Sequence, residues 1–177
     1  MPTHKAFWTT AVVLAVGLVS GLGPVNAAPI EGQIAFTGGW DPVDVDGDST
    51  SLSDAEVIDI DGNTAQVIND VRDGDFSSVP ENSTTTFNDI DFTSAGGTPI
   101  EPLWGPIGTD NFAFDLETVS FDGIVGPTLS LSGTGTMTGD GFDPTPFNWD
   151  FSGQETGSEL TFSTTTAKAV SAPRSLA

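Results

Sequence analysis

Apolar and polar residues alternate along most of the chain after its first 27 positions. Alternation of this kind places every second side chain on the same face of a β-strand. It is clear in Phe87–Phe92, Phe112–Leu116 and Trp149–Phe151. Glycine, aspartate and proline lie between these runs and are typical of turns. Short strands at this spacing predict an all-β fold, a single β-sandwich or jelly-roll-like domain.

Two turn sequences predict β-hairpins. Asp61-Gly62-Asn63 lies between the apolar runs 57–60 and 64–68, and its residues tolerate the positive φ of a tight turn. Gly126-Pro127 lies between two further alternating runs and predicts a second hairpin.

The segment 93–108 is rich in glycine and proline, and we expect it to form a long exposed loop. Its tryptophan, Trp104, is then either packed beneath the loop or offered to a ligand. Trp149 alternates with Phe151 inside a predicted strand, which favours a place in the core.

The first 27 residues have the pattern of a secretory signal. His4 and Lys5 precede an apolar run that ends at Leu22, and Val25 and Ala27 are the small residues that signal peptidase requires. We therefore expect cleavage after Ala27. The apolar run is shorter than the about 20 residues of a spanning helix, and no second such run follows. The mature chain is expected to consist of a β-sandwich domain, 28–167, and a disordered tail, 168–177, without a membrane span.

The chain is strongly acidic and has no cysteine. Its 177 residues include 25 Asp and Glu but only four Lys and Arg, which gives a formal net charge of −21. Such a surface repels nucleic acid and anionic lipid, because binding to phosphate relies on basic side chains. Disulfides are excluded, so rigidity must come from packing or from bound ions. The acidity indicates either a solvated surface suited to a salty habitat or calcium binding.

The densest acidic cluster is a candidate calcium site. Alternating aspartates can supply several of the six to eight oxygen ligands that Ca²⁺ takes at about 2.3–2.6 Å. The pattern is not that of an EF-hand, because Ser49 stands where that loop has glycine. The alternative is a strand edge with an acidic polar side. The candidate ligands are Asp41, Asp44, Asp46 and Asp48.

Aromatic side chains offer a second kind of site. Trp40 adjoins the acidic segment and is the best candidate for an exposed platform that stacks on a sugar ring; Trp104 is the other. Together with the aspartates, they would form a calcium-dependent carbohydrate-binding module.

The acidic residues around Arg72 suggest only a local ion pair. Asp70, Asp73 and Asp75 surround this arginine in the sequence, and we expect an ion pair among them.

Enzymatic chemistry has little support in the residues. The sole histidine, His4, lies in the signal, and there is no Cys or Tyr. Serine catalysis through histidine and histidine-ligated zinc are therefore excluded. A pair of carboxylates could still hydrolyse a glycoside, but among 25 acids such a pair arises by chance. We expect a protein that is not an enzyme. Ca²⁺ is the one candidate cofactor, and the alternative is that no cofactor binds.

Six short phrases follow one another along the chain: Gly74–Phe76, Phe112–Leu116, Leu131–Gly135, Gly141–Pro146, Trp149–Gln154 and Leu160–Thr166. In this order, and over most of residues 30–167, they resemble the secreted domain of bacterial PEP-CTERM (exosortase-sorted) proteins. The resemblance implies export to the cell surface or to an exopolysaccharide matrix.

That family continues into a Pro-Glu-Pro signal, a membrane span and a basic tail, whereas this chain ends at Val170–Ala177. We expect either free release or a truncated form. The leading hypothesis is a secreted, non-enzymatic matrix or cell-surface protein of structural or adhesive type. Its expected partners are extracellular polysaccharide or other matrix components. The alternatives are the calcium-dependent carbohydrate-binding module and, less favoured, a glycan-active enzyme.

Overall fold

The computed structural model describes residues 27–93, 99–154 and 159–167. The predicted signal up to residue 26 and the predicted tail 168–177 lie outside the described residues. Two short 3-10 helices, Asp61–Asn63 and Gly74–Ser78, accompany the strands. In order, the strands are β1 (Ala28–Pro29), β2 (Gln33–Gly38), β3 (Trp40–Val43), β4 (Val57–Ile60), β5 (Thr64–Arg72), β6 (Thr84–Thr86), β7 (Ile90–Asp91), β8 (Ile100–Ile107), β9 (Phe112–Val125), β10 (Thr128–Thr138), β11 (Phe142–Asp143), β12 (Thr145–Gln154) and β13 (Glu159–Thr166).

Most strands belong to one antiparallel sheet. Its eight strands follow the order β6-β5-β2-β13-β12-β10-β9-β8. A second sheet, β3-β4-β7, has three strands, and β1 pairs with β11 in parallel. The prediction of an all-β, sandwich-like fold is confirmed. Across the ranges that the structure describes, no helix is long and apolar enough to cross a membrane.

The eight-stranded sheet curls until its two outermost strands meet. Phe87, directly after β6, forms a bridge with Trp104 in β8. The next residue, Asn88, donates its backbone N–H to the Leu103 carbonyl oxygen at 2.8 Å. Its side-chain Nδ2 donates to the Pro102 carbonyl oxygen at 2.7 Å. We call this contact the β6–β8 seam. It lets a single sheet enclose most of the core.

Aromatic rings fill the space inside the curled sheet. In β12, every second residue from Thr145 to Gly153 is buried and the residues between them are exposed, as the alternation predicts. The rings that face the core contact one another with centroid separations between 4.8 and 6.4 Å. They belong to Phe36, Phe87, Trp104, Phe114, Trp149 and Phe162.

One predicted hairpin is wrong. Gly62 and Asn63 have φ of +61° and +52°, so the turn takes the positive φ that its sequence favours. However, β4 pairs with β3 and β7, whereas β5 pairs with β2 and β6. The turn therefore carries the chain from one sheet to the other. Local turn chemistry sets the backbone angles but not the distant strand with which each arm pairs.

The second predicted hairpin is confirmed. Strands β9 and β10 pair antiparallel, and Val125 opposite Thr128 closes the turn. Gly126 in that turn has a φ of +61°, which glycine adopts without steric cost. These are the two longest strands, with 14 and 11 residues.

The predicted exposed loop at 93–108 is also wrong in its described part. Residues 100–107 form β8, and Trp104 is fully buried. Proline lacks a backbone N–H but can occupy the edge of a sheet. Here β8 is the outermost strand, and the Pro102 and Pro106 carbonyl oxygens accept hydrogen bonds across the seam. The prolines are therefore compatible with a strand.

Arg72 does not pair with its sequence neighbours. Its guanidinium binds the Glu81 carboxylate at 3.0 Å. Asp73 and Asp75 instead accept the backbone N–H groups of Gln33 and Glu31. The expected local ion pair is wrong because these two carboxylates join the backbone at the start of β2 to the region of the 3-10 helix Gly74–Ser78.

Candidate functional site

The acidic segment after β3 is organised around Asp44. The Asp44 Oδ1 accepts the backbone N–H of Asp46 at 3.0 Å and that of Asp48 at 2.9 Å. The Asp48 carbonyl oxygen in turn accepts the Asp44 N–H at 3.0 Å. An aspartate that bonds to the backbone ahead of it stabilises a turn. The Asp44 carboxylate therefore closes its own loop.

The structure does not assemble the predicted calcium ligands. Asp41 lies on β3, opposite Asp59 of β4, while the other three candidates belong to the loop beyond the strand. Among the described residues, no three acidic side chains come close enough to hold a metal ion. Carboxylates spaced by two along a chain can converge on one cation only if the backbone turns them inward, and here Asp44 is turned toward backbone N–H groups.

Neither predicted tryptophan presents a ring to solvent. Trp40 is 1% exposed and Trp104 is 0% exposed. The Trp40 ring stands perpendicular to the Phe151 ring at 5.4 Å, and it fills the space beside Gly153, where a side chain would clash with it. A sugar-stacking platform needs a free ring face. The exposed platform predicted at Trp40 is therefore wrong, and the packed alternative for Trp104 is confirmed.

Two carboxyl groups have altered acidity. Partial burial raises the pKa of Asp115, and the nearby charges of Glu101 and Glu117 raise it further. Glu117 also accepts the Thr136 hydroxyl at 2.6 Å, so it is engaged within the sheet. Asp59 has a raised pKa for the same kinds of reason. Partial burial, with like charges close by as the smaller cause, accounts for both raised pKa values.

A broad polar surface covers the outer side of four neighbouring strands, β9, β10, β12 and β13. Residues directly opposite one another in an antiparallel pair share a face. Three rows of short polar side chains therefore cross these strands. We call this surface the hydroxyl face. Its rows are Thr118, Thr134, Asn148 and Thr165; Ser120, Ser132, Asp150 and Ser163; and Ser130, Ser152 and Thr161.

The spacing of the side chains on the hydroxyl face follows from the spacing of the strands that carry them. Neighbouring strands lie about 4.8 Å apart, and same-face residues along a strand lie roughly 6.8 Å apart. The Thr118 and Thr134 hydroxyl groups bond to each other at 2.8 Å. A shallow hollow of about 240 Å³ lies on this face, between Asp122, Asp150 and Thr161. The face thus offers donors and acceptors at regular spacing.

Sequence reasoning missed this surface, although its signal is visible. Serine or threonine occupies every second position of Ser130–Thr138, and the residues between them face inward. The same alternation occurs in Thr161–Thr165. Within one segment, this alternation predicts only a strand. The combination of these positions into one face depends on the strand order β9-β10-β12-β13 and on its register.

The chain was compared with protein-family models, curated proteins and solved structures, and no match was found in any of the three.

Proposed function

We propose that the protein is an exported, non-enzymatic component of a bacterial cell surface or extracellular matrix, of structural or adhesive type. The hydroxyl face is the observation that carries this proposal. On it, the protein contacts polyhydroxylated chains of the matrix. The segment 1–27, with its secretory pattern, and the resemblance to exosortase-sorted proteins support export.

The chemistry of the hydroxyl face suits a polysaccharide. Each serine or threonine hydroxyl both donates and accepts a hydrogen bond, as sugar hydroxyls do. Fixing long, flexible side chains such as Lys or Gln costs up to about 2 kcal/mol each, a cost that these short side chains largely avoid. A net charge of −21 repels polyanions. The preferred ligand is therefore a neutral or cationic polysaccharide, held by many weak contacts.

A matched pair of substitutions tests the proposal. Thr161 lies on the hydroxyl face, whereas Thr84 is an equally solvent-facing threonine of β6, in the same sheet. The protein is incubated with insoluble neutral polysaccharides and the bound fraction is measured. We expect Thr161→Arg to weaken binding about tenfold, or about 1.4 kcal/mol, because a long side chain holds the ligand off the face. Thr84→Arg should leave binding unchanged.

Three results would count against the proposal. The first is an equal effect of the two substitutions. The second is turnover of a polysaccharide, which would favour a glycan-active enzyme. The third concerns location: expression of the full chain in a bacterium, followed by fractionation, should place the protein outside the cytoplasm, and retention within it would contradict export.

A further inference from the structure

Exposed apolar side chains concentrate at the tip of the β9–β10 hairpin. The large hydrophobic residues with the greatest exposure are Val45 at 62%, Phe121 at 54%, Ile124 at 37% and Val125 at 80%. The last three lie within five residues of the turn at Gly126. Scattered apolar residues need no explanation, but a cluster on a surface marks an interaction site.

A groove lies between this hairpin tip and the segment that follows the acidic loop. Its volume is about 400 Å³. Leu52, Ala55 and Glu56 line it from that segment, and Phe121 and Ile124 line it from the hairpin. Phe92 also lines the groove, and its ring stacks on that of Phe121, with centroids 6.3 Å apart and planes 8° from parallel. We call this the tip groove. Its apolar surface comes from three separate parts of the chain.

The tip groove carries negative charge without a basic counterpart. Glu56 lines it, and one carboxylate oxygen accepts the Val45 N–H at 3.3 Å. Asp54 is exposed and lies in the sequence between the lining residues Ser53 and Ala55. Within the described ranges, Arg72 is the sole basic side chain, and it is bound to Glu81. A positive charge near Glu56 therefore has to come from a molecule that binds in the groove.

We propose that the tip groove docks an extended segment of a partner protein in which an apolar side chain is flanked by lysine or arginine. The apolar side chain packs against Phe92 and Phe121, and the flanking cations lie near Glu56 and Asp54. A second copy of this chain is disfavoured, because its net charge of −21 places like charges on both sides. This inference concerns other residues than the hydroxyl face and does not depend on it.

Synthetic peptides test the inference on the full chain. The first peptide has Leu and Trp flanked by Lys; the second has Glu in place of Lys; the third has Gly in place of Leu and Trp. Binding is measured by isothermal titration at low and high salt. We expect the first peptide to bind, with weaker binding at high salt, and the second not to bind. The third should bind at least tenfold more weakly than the first.

Variants locate the binding site. The substitutions Phe121→Ser and Ile124→Ser should each weaken binding of the first peptide at least tenfold, because both remove apolar surface from the groove. The control, Val45→Ser, removes an even more exposed apolar side chain that does not line the groove. This variant should bind the first peptide as tightly as the parent protein does. Glu56→Gln should reduce both the affinity and its dependence on salt. Thermal unfolding of each variant verifies that it is folded.

Several outcomes would overturn the inference. Equal binding of the first and third peptides would mean attraction by charge alone. Equal losses in Val45→Ser and Phe121→Ser would place the site elsewhere. Binding of none of the peptides would show that the tip groove does not take this chemistry.

Discussion

Trp149 reaches beneath strand β10 and donates its indole N–H to the backbone carbonyl oxygen of Thr118 on β9, at 3.0 Å. Gly133 is the residue of β10 that lies between them, opposite Trp149 in the register. A Cβ at Gly133 would clash with the Thr118 carbonyl oxygen and would lie 2.6 Å from Trp149 Nε1. The absence of a side chain at Gly133 thus allows a buried indole to satisfy its donor.

Replacement of Gly133 should therefore be costly. We expect Gly133→Ala to reduce the free energy of unfolding by about 1–3 kcal/mol, the usual range for overpacking a core, as measured by urea denaturation. Ser132→Ala, at the neighbouring outward-facing position, should change it by less than about 0.5 kcal/mol. Equal midpoints for the two variants would mean that the Trp149 hydrogen bond forms without this gap.

The β6–β8 seam should loosen when its side-chain hydrogen bond is lost. Asn88→Ala removes the donor to the Pro102 carbonyl oxygen, and we expect a loss of about 0.5–1.5 kcal/mol. Amide hydrogen exchange should speed up at β6 and β8 more than at β12, which lies away from the seam. Substitution of the exposed Asn148 by alanine serves as the control. Uniform acceleration over the whole sheet would argue against a local role.

Stability should depend on the ionisation of Asp59. Partial burial, followed by the charges of Asp89, Asp41 and Asp61, raises its pKa above the ordinary 3.8. The folded state therefore holds this proton more tightly than the unfolded state does. The resulting destabilisation is complete above the raised pKa and disappears as the pH falls toward 3.8.

Removal of that charge should consequently stabilise the protein at neutral pH. We expect Asp59→Asn to raise Tm at pH 7 by an amount equivalent to less than about 1 kcal/mol, because the group is largely exposed. The gain should shrink in acid and in high salt. Asp46→Asn, in the loop, is the control for loss of one charge. A gain that persisted at low pH would have a cause other than ionisation.

Divalent cations should act on this protein only through general screening. The Asp44 carboxylate binds backbone N–H groups, and Asp41 lies on β3, before the loop that holds the other three, so the four aspartates do not form a common ligand set. We expect Ca²⁺ and Mg²⁺ at equal ionic strength to shift Tm by the same amount. A larger shift with sub-millimolar Ca²⁺, abolished by Asp44→Ala plus Asp46→Ala, would contradict this and restore the calcium hypothesis.

Local patterns predicted much of the fold. The period-two alternation identified the strand with Trp149 and Phe151 on its inner side, because each side chain's face follows from its own strand. Gly126-Pro127 identified the β9–β10 hairpin, because its two arms pair with each other. In both cases, the information needed lies within a few residues.

Features that depend on distant pairing could not be predicted in this way. Asp61–Asn63 forms the expected turn, but its arms join different sheets. Trp40 is buried because Gly153, on a strand far along the chain, leaves space for its ring. The hydroxyl face likewise requires the register of four strands. Sequence spacing near Trp40 and Asp41–Asp48 indicated a site. Tertiary packing buries the Trp40 ring, and hydrogen bonds within the loop hold the Asp44 carboxylate against backbone N–H groups.

The β6–β8 seam has a consequence for behaviour at high concentration. A sheet that ends in unpaired strands offers backbone groups to which another chain can add. At the seam of the eight-stranded sheet, backbone groups of β8 bond within the chain: the Leu103 carbonyl oxygen accepts the Asn88 backbone N–H, and the Pro102 carbonyl oxygen accepts the Asn88 side chain. Many copies can therefore crowd together without polymerising through this sheet, and the contacts between them are left to side chains.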